Sequence, residues 1–184
     1  NTNEIKNQIS LMKKVSKLPI KIFGSCWGMQ LYTVCNGGVV SKNIKGREIG
    51  ISFNISLNNK GKGHPMYNQK PIIFDAFASH IDHVTTLPKK ASALSDNHFS
   101  IQSLSNKNFW GTQYHPEFNF QYTGQILNAR KKILLKEKLF SNNQLKNLIS
   151  SFKKPSKDSY SRSLMDFKIR TSELANWLNY IKNN

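Results

Sequence analysis

Residues 19–30 read PIKIFGSCWGMQ, an apolar run that ends in a cysteine placed between two glycines. The first half has the residue types of a short buried strand, closed by Gly24. From Trp27 to about Val34 the spacing is that of a helix, and the Asn-Gly-Gly at 36–38 is a helix-ending signal. The stretch therefore predicts a strand, a sharp turn and a helix, a geometry that can expose a nucleophile at the turn.

Cys26 stands at that turn, and two interpretations of it are open. In the first, the flanking glycines relieve steric conflict, and the N-terminus of the helix favours the thiolate, which is the reactive form of cysteine. In the second, Cys26 is a small buried hydrophobic residue that follows a strand. A thiolate near neutral pH also profits from an adjacent base, so the choice depends on what else the chain supplies.

A candidate base lies much later, in the segment WGTQYHPEF at residues 110–118. His115 follows a strand-like run, and Pro116, which restricts the local backbone, separates it from Glu117. A histidine can take a thiol proton, and a carboxylate can hold the histidine tautomer and stabilise the imidazolium. Alone, this segment indicates little, because a histidine at a strand end is usually structural. Together with Cys26 it predicts a Cys-His-Glu triad that only the fold can assemble.

The remainder of the chain mixes strand and helix patterns. Apolar runs separated by Asn, Gly, Ser and Pro predict strands near residues 38–43, 47–59, 71–79 and 98–106. The segment NFWGTQYHPEF at 108–118 predicts another strand, which runs into a turn at Pro116. Amphipathic helices are predicted at residues 3–17 and 172–184, and the chain from about Gln125 is helical and basic, with an irregular link around Pro155. In the last helix one apolar face is expected to hold Leu174, Trp177, Leu178 and Ile181, with Ser172 as the N-cap. Strands flanked by helices favour a layered α/β fold.

Composition excludes several classes of protein. At 184 residues the chain fits one domain that can bury a core, and no apolar run approaches the roughly 20 residues that span a bilayer. Two cysteines, Cys26 and Cys35, are too few for a secreted disulfide scaffold, and a zinc site would need further ligands at close spacing. We therefore expect a reduced, cytoplasmic enzyme with one important thiol and no membrane partner.

The net charge of +17 allows two interpretations. It could mark a surface for nucleic acid or another polyanion, or it could reflect lysines spread over solvated faces. The lysines are scattered, no run of Lys and Arg exceeds the three residues 130–132, and no helix-turn-helix, aromatic RNA-binding or Cys/His finger pattern is present. The second interpretation is favoured, so no nucleic-acid partner is expected.

The elbow segment FGSCWGMQ followed by TQYHPEF resembles the class I glutamine amidotransferase family, whose two motifs read G-x-C-x-G-x-Q and Q-x-H-P-E. Between them, GREIG at 46–50 and ASHIDHVTTLP at 78–88 are similar to stand-alone members related to the amidotransferase domain of GMP synthase. The resemblance runs from about residue 18 to 118. It implies a flavodoxin-like three-layer α/β sandwich with a mostly parallel central sheet. Residues 1–130 would form the amidotransferase domain, and 131–184 a basic helical extension packed on it.

The resemblance also implies roles for the triad. Cys26 would attack the side-chain amide of glutamine, His115 would take the thiol proton and pass it to the leaving ammonia, and Glu117 would orient His115. A γ-glutamyl thioester would form and be hydrolysed to glutamate. The backbone N–H of Trp27 would contribute to the oxyanion hole. No cofactor and no metal is implied.

The same resemblance points to residues around the substrate. Gln30, one helical turn past the nucleophile, would line the glutamine pocket. The segment containing Ser79, His80 and Asp82 would contact the α-amino and carboxylate groups of the substrate, largely through its backbone. For His80 we expect structural support near the pocket rather than catalysis.

Three functions follow as hypotheses. The first is glutamine hydrolysis that supplies ammonia to an acceptor, with the synthetase on a partner protein, because no acceptor module follows residue 118. The second is a γ-glutamyl peptidase or hydrolase that uses the same triad. The third is a non-catalytic, truncated relative that acts as a binding protein, although this hypothesis leaves the three triad residues unexplained.

The resemblance fails at the start of the chain. Family members carry an opening strand–helix–strand region, with a glycine-rich loop that supplies a second oxyanion donor. Here only about 25 residues precede Cys26, and they have the pattern of one helix and one strand. The N-terminal strands are therefore predicted to be missing, and we expect the chain to be a fragment or to be completed by a second chain.

Overall fold

The computed structural model describes residues 2–183. The strands are β1 Ile22–Ser25, β2 Val39–Lys42, β3 Glu48–Leu57, β4 Ile73–His80, β5 Asp82–Thr86, β6 Ser92–Asp96, β7 Ile101–Asn106 and β8 Phe109–Thr112. The helices are α1 Asn3–Val15, α2 Trp27–Cys35, α3 Asn59–Lys62, α4 Phe120–Ala129, α5 Lys131–Lys136, α6 Asn142–Lys153, α7 Arg162–Met165, α8 Phe167–Arg170 and α9 Ser172–Asn183, with a 3₁₀ turn at Pro65–Tyr67. The α/β class predicted from the sequence is confirmed.

Strand direction differs from the prediction. Six strands form one sheet in the order β1-β8-β7-β6-β3-β4, and β2 pairs with β5 in a separate two-stranded sheet. In the larger sheet of the described residues, only β1 and β8 run parallel, and the other neighbours are antiparallel. The reason lies in the connections, because the short loops between β6, β7 and β8 can join only antiparallel neighbours, whereas a parallel pair needs a long crossover. The expected predominance of parallel strands is therefore wrong for this part of the chain.

Two strands were not anticipated from the pattern. β6 has the sequence SALSD, which contains no β-branched residue, and β5 lies within the ASHIDHVTTLP motif. The strand state of β6 depends on its partners, since Ala93 pairs with Leu104 of β7 and Ser95 with Leu57 of β3. Strand propensity is a weak signal where cross-strand packing decides the outcome.

The six-stranded sheet is covered on both faces. Neighbouring residues of β8 point to opposite sides: Phe109 packs with Tyr32 of α2, and Trp110 belongs to a cluster that includes Trp177 of α9. The rings of Tyr32 and Phe109 stack with centroids 3.7 Å apart. A third cluster joins β3 and β4 to α4 and α6 through Phe77, Leu127 and Phe152. The three-layer arrangement expected from the sequence is thus present among residues 2–183.

The last helix docks through only part of the predicted apolar face: Trp177 is confirmed, whereas Leu178 and Ile181 are not. Trp177 and Tyr180 pack against the core, whereas Leu178 and Ile181 are 48% and 37% exposed. Ser172 is the first helical residue rather than the cap, and its hydroxyl donates to the carbonyl of Ile169. The apolar periodicity located the helix, but polar partners in the core selected its buried face. The domain boundary after residue 130 stays a prediction.

None of the helices within residues 2–183 is both long enough and apolar enough to cross a membrane.

Candidate active site

Cys26 occupies a strained position between β1 and α2. Its backbone angles are φ 48° and ψ −101°, in a region that residues other than glycine rarely adopt. Its N–H donates to the carbonyl of Thr112 at the end of β8 (2.7 Å), and its carbonyl accepts from the N–H of Gln30 (3.1 Å). The strand pairing and the helix therefore hold the cysteine at the carboxyl end of the parallel β1–β8 pair, as the elbow pattern predicted.

The two glycines that flank the elbow are not equivalent. A Cβ added to Gly24 would lie 2.8 Å from a ring carbon of Phe109 and 2.9 Å from the carbonyl carbon of Gly28, whereas one added to Gly28 would meet nothing within 4 Å. The expectation that both glycines relieve steric conflict is therefore wrong for Gly28. Gly24 alone is needed, because the helix returns directly over it.

The residue Cys26 is only 9% exposed. Burial raises its pKa to about 11, and the negative charge of Glu117 acts in the same direction. The backbone N–H of Trp27, the charge of Arg130 and the side chain of Gln113 favour the thiolate but do not outweigh burial; the amide of Gln113 donates to Sγ over 3.6 Å. The expectation that the elbow by itself favours the thiolate is wrong for this resting state, in which the thiol carries its proton at neutral pH.

His115 and Glu117 form a closely bonded pair. His115 Nδ1 lies 2.7 Å from Glu117 Oε1, which also accepts from the hydroxyl of Ser25 at 2.9 Å. The ring of His115 stacks on Phe118 with centroids 3.8 Å apart, and the backbone N–H of His115 donates to the carbonyl of Phe77 at 2.8 Å. Since Nδ1 faces the carboxylate, Nε2 is left to face a reacting group. Although burial alone would raise the pKa of Glu117, the hydrogen bonds from His115 and Ser25 lower it, so the carboxylate is ionised.

One cleft of about 510 Å³ brings the predicted residues together. Its walls include all the substrate-side residues predicted from the sequence and two members of the triad, namely Cys26, Trp27, Gln30, Ser79, His80, Asp82 and His115. Glu117 reaches the cleft through its bond to His115. The hydroxyl of Ser79 is buried without a hydrogen-bond partner in the described part of the chain. The chemical roles of these residues stay predictions.

Gln30 connects the elbow helix to the opposite wall. Its side-chain amide donates to the carbonyl of Asp82 at 2.8 Å and to Oε1 of Gln113 at 3.2 Å. The amide of Gln113 in turn donates to the sulfur of Cys26. The side-chain N–H groups of Gln30 therefore bond to the protein, and they position the wall of the cleft rather than the substrate. Gln113 was not anticipated as a site residue, although it precedes His115 by two positions in the motif already recognised.

A buried carboxylate supports His80. Glu48 Oε2 lies 3.0 Å from His80 Nε2, and Oε1 accepts from Ser52 (2.7 Å) and Asn97 (2.6 Å). The other ring nitrogen of His80 lies 3.2 Å from the carbonyl of Asp82. Burial would raise the pKa of Glu48, but these hydrogen bonds and the His80 charge lower it. Both nitrogens of His80 thus bond to the protein, a geometry suited to support; Glu48 was missed because only strand pairing brings it to His80.

Among residues 2–183 no group of three or more His, Cys, Asp or Glu side chains is arranged to hold a metal ion. The chemistry available in the cleft is that of a thiol, a histidine and a carboxylate. Such a set can carry out nucleophilic acyl transfer, with the thiol as nucleophile and the histidine as proton carrier.

Comparison with known proteins agrees with this geometry. Residues 1–133 match the family model described as Glutamine amidotransferase class-I. Across 95% of its length the chain is 30% identical to a Gamma-glutamyl-L-1-hydroxyisopropylamide hydrolase from a Pseudomonas species, and it spans 65% of that protein. It is 33% identical over 125 residues to a glutamine-hydrolyzing GMP synthase of Borrelia garinii subsp. bavariensis; this match covers 66% of the chain and 23% of the synthase.

A solved structure shows the same architecture. A glutamine amidotransferase from Thermotoga maritima superposes with a TM-score of 0.73 and 21% identity, covering 98% of this chain and 70% of that one. At this identity the likeness establishes the fold alone, and it confirms the flavodoxin-like α/β architecture expected from the sequence.

Proposed function

Because this chain belongs to the class I glutamine amidotransferase family, we propose that it hydrolyses a γ-glutamyl amide bond through Cys26, with glutamine as the first candidate substrate. The observation that carries the proposal is the convergence of the Cys26 thiol and the His115–Glu117 pair on one cleft. His80 and His115 each face a carboxylate, but both ring nitrogens of His80 bond to the protein, whereas His115 pairs with Glu117 through Nδ1 and has Nε2 left for a reacting group.

The proposed reaction proceeds in two halves. His115 Nε2 takes the proton of Cys26 as Sγ attacks the side-chain carbonyl carbon, and the backbone N–H of Trp27 donates to the oxygen that becomes negative. One such donor typically contributes about 2.7–4 kcal/mol to transition-state stabilisation. The intermediate collapses to a γ-glutamyl thioester, and ammonia leaves with the proton carried by His115. Water then attacks the thioester with His115 again as base, which releases glutamate and restores the thiol.

The electrostatics of the resting site are consistent with this sequence. A thiol with a pKa of about 11 is protected from adventitious reactions at neutral pH. It becomes a nucleophile when His115 accepts its proton during attack, and the ionised Glu117 stabilises the imidazolium that forms. Specificity for the glutamyl group would come from the far wall, where Asp82 supplies a carboxylate for the α-ammonium group and Ser79 an unpartnered hydroxyl.

A second candidate substrate is a γ-glutamyl amide of an organic amine. Similarity to the Pseudomonas hydrolase covers 95% of the chain, including the C-terminal helices, whereas similarity to the GMP synthase covers 66%. The cleft also has an apolar wall, to which α4 contributes Tyr122 and Ile126. Such a wall suits an N-alkyl substituent better than free ammonia. If glutamine is preferred, the ammonia acceptor would be a synthetase on a partner chain.

The test is release of glutamate and of the amine from glutamine and from a γ-glutamyl alkylamide. We expect turnover by the native chain and none by Cys26→Ser, while Cys35→Ser, which removes the half-buried second thiol, keeps full activity. Any longer product of the same gene should be assayed alongside, since the chain spans 65% of its Pseudomonas relative. Turnover that survives in Cys26→Ser would refute the thioester mechanism, and inactivity of every form would favour the binding-protein alternative.

A further inference from the structure

The cleft contains two arginines in different electrostatic states. Nε and Nη2 of Arg47 each lie 2.8 Å from a carboxylate oxygen of Glu137, so the charge of Arg47 is neutralised within the protein. Within residues 2–183, the guanidinium of Arg130 has neither an ion pair nor a hydrogen-bond partner. Only Arg130 is therefore a cation whose hydrogen-bond donors are all available to a ligand.

Arg130 lines the same cleft as the reacting sulfur. It follows the last residue of α4 and continues the stripe of that helix that lines the cleft, which comprises Tyr122, Ile126 and Ala129. Side chains three, four, seven and eight positions apart lie on one face of a helix. The positive charge of Arg130 also favours the thiolate form of Cys26, which places the two groups within electrostatic range.

The charges of the cleft match those of an amino-acid substrate. Asp82 is a carboxylate in the wall that forms no salt bridge in the described part of the chain, although its charge acts on Arg47, and Arg130 is a cation of the wall that forms none either. A γ-glutamyl compound has an α-ammonium group and an α-carboxylate, and a γ-glutamyl amino acid has a second carboxylate on the amine that leaves. The planar guanidinium of arginine can bind a carboxylate through two parallel hydrogen bonds.

We propose that Arg130 forms a carboxylate-binding subsite of the cleft and so determines which γ-glutamyl compounds are accepted. The inference rests on the proposed function, since it names a group of the substrate of that reaction. The carboxylate belongs either to the glutamyl group or to an amino acid as leaving group. Both sources require the same contact, and substrates that lack one carboxylate at a time distinguish them.

The experiment uses four substrates in two matched pairs. Glutamine is compared with glutamine α-amide, and γ-glutamylglycine with γ-glutamylglycinamide. Each pair is assayed on the native chain, Arg130→Ala and Arg130→Lys. The control is Lys131→Ala, which changes an exposed neighbour outside the cleft. Loss of a charge-assisted contact should lower kcat/KM by about 10- to 100-fold. In Arg130→Ala we expect this loss of kcat/KM for the substrate of one pair that carries the carboxylate, and a change in kcat/KM below about threefold for the matching amide. Arg130→Lys should recover part of the lost kcat/KM.

The pairs separate binding from other effects of Arg130. A glutamyl source predicts that glutamine loses activity and its α-amide does not; a leaving-group source predicts the selective loss for γ-glutamylglycine. An equal loss for all four substrates would show that Arg130 acts only on the Cys26 thiol or on folding, and it would overturn the subsite. Melting temperatures of the variants identify a folding defect.

Binding keeps the subsite testable if the proposed function fails. When the native chain hydrolyses none of the four compounds, their affinities are measured by calorimetric titration of Cys26→Ser with and without Arg130→Ala. Selective weakening of a carboxylate-bearing compound would support the subsite without hydrolysis. Equal affinities in the two proteins, or no binding of any of the four compounds, would overturn it.

Discussion

The Cys26 thiol combines exposure to a ligand with protection from solvent. It lines the cleft but is 9% exposed, and burial raises its pKa to about 11. The thiolate fraction below that pH rises about tenfold per pH unit, and only the thiolate is alkylated. In a Cys35→Ser background, we therefore expect the rate of Cys26 modification by iodoacetamide to climb through pH 7–10 without a plateau. A plateau below pH 8 would instead indicate a resting thiolate–imidazolium pair with His115.

In the proposed mechanism, Glu117 acts through its bond to His115. Its pKa is lowered from the ordinary value of 4.5, so it is ionised throughout the neutral range. Replacing it by the neutral isostere in Glu117→Gln removes the charge that stabilises the imidazolium and the group that selects the tautomer. We expect kcat to fall by about 10²- to 10⁴-fold with little change in KM.

Steady-state kinetics on glutamine would measure the effect of Glu117→Gln. Ser25→Ala, which removes only the second hydrogen bond to Glu117, serves as the matched control and should cost less than about tenfold. If Glu117→Gln raises KM and leaves kcat intact, then Glu117 belongs to substrate binding and not to the triad.

At the scale of elements, the return of α2 over β1 makes one elbow glycine indispensable. An added methyl group clashes at Gly24 and meets open space at Gly28. Gly24→Ala should destabilise the chain by about 1–3 kcal/mol, whereas Gly28→Ala, which lies in the first turn of α2, should be neutral or stabilising by up to about 1 kcal/mol. Urea unfolding of the two variants compares them directly; equal losses would show that the elbow relaxes differently from this geometry.

The attachment of α9 depends on a buried ion pair. Lys70 Nζ lies 2.9 Å from a carboxylate oxygen of Glu173, with side chains 1% and 0% exposed, and the hydroxyl of Tyr114 donates to the same carboxylate at 2.6 Å. Tyr114 directly precedes His115, so this contact links the last helix to the backbone of His115. Burial and the Glu173 charge together raise the pKa of Tyr114 well above its usual range, so its hydroxyl stays protonated as a donor.

Removing one partner of this pair should be costly. Glu173→Ala leaves the ammonium of Lys70 buried without a counter-charge, and we expect a loss of about 3–5 kcal/mol in the free energy of unfolding. The double variant Lys70→Met with Glu173→Leu should cost markedly less than Glu173→Ala. The exposed Asp158→Ala is the control, with an effect within about 0.5 kcal/mol. Equal stability of the single and double variants would contradict an uncompensated charge as the cause.

For the whole molecule, carboxylates whose pKa values are lowered in the folded state shape the response to acid. The pKa values of Glu48 and Glu117 are lowered from 4.5 in the folded state. Groups of this kind contribute stability that is present above the unfolded pKa and lost as pH falls through the folded one. We therefore expect the free energy of unfolding to be level from pH 7 to about 5 and to decline steeply below about 4.5.

Glu48→Gln tests this assignment. The variant lacks a charge that accepts hydrogen bonds from four side chains, namely Ser52, His80, Asn97 and Gln102. It should be less stable than the native chain by about 1.5–3 kcal/mol at pH 7, and the difference should shrink toward pH 3, where the native carboxylate is itself protonated. Urea unfolding between pH 3 and 7 measures both curves. A constant difference would mean that Glu48 does not titrate in this window.

The sequence by itself determined the elements that carry the chemistry. The strand, turn and helix around Cys26 could be predicted because short-range residue types specify them: apolar residues, glycine at the crowded position and a helix-ending Asn-Gly-Gly at 36–38. The motif around His115 was recognisable for the same reason, since the orienting Glu117 lies two residues away. Features that depend only on residues close together in the chain can be predicted from the sequence without the fold.

Only the tertiary structure decided the features that depend on long-range pairing. Antiparallel neighbours in most of the sheet and the strand β6 follow from packing between segments far apart in the chain. The same holds for the bond of Glu48 to His80, the bond of Gln113 to Cys26 and the place of Arg130 in the cleft. The protonated state of the Cys26 thiol belongs here too, because the sequence indicates a helix N-terminus whereas the fold supplies the burial that outweighs it. Desolvation and strand pairing depend on the neighbours of a residue in space, and those neighbours are in place only after the chain has folded.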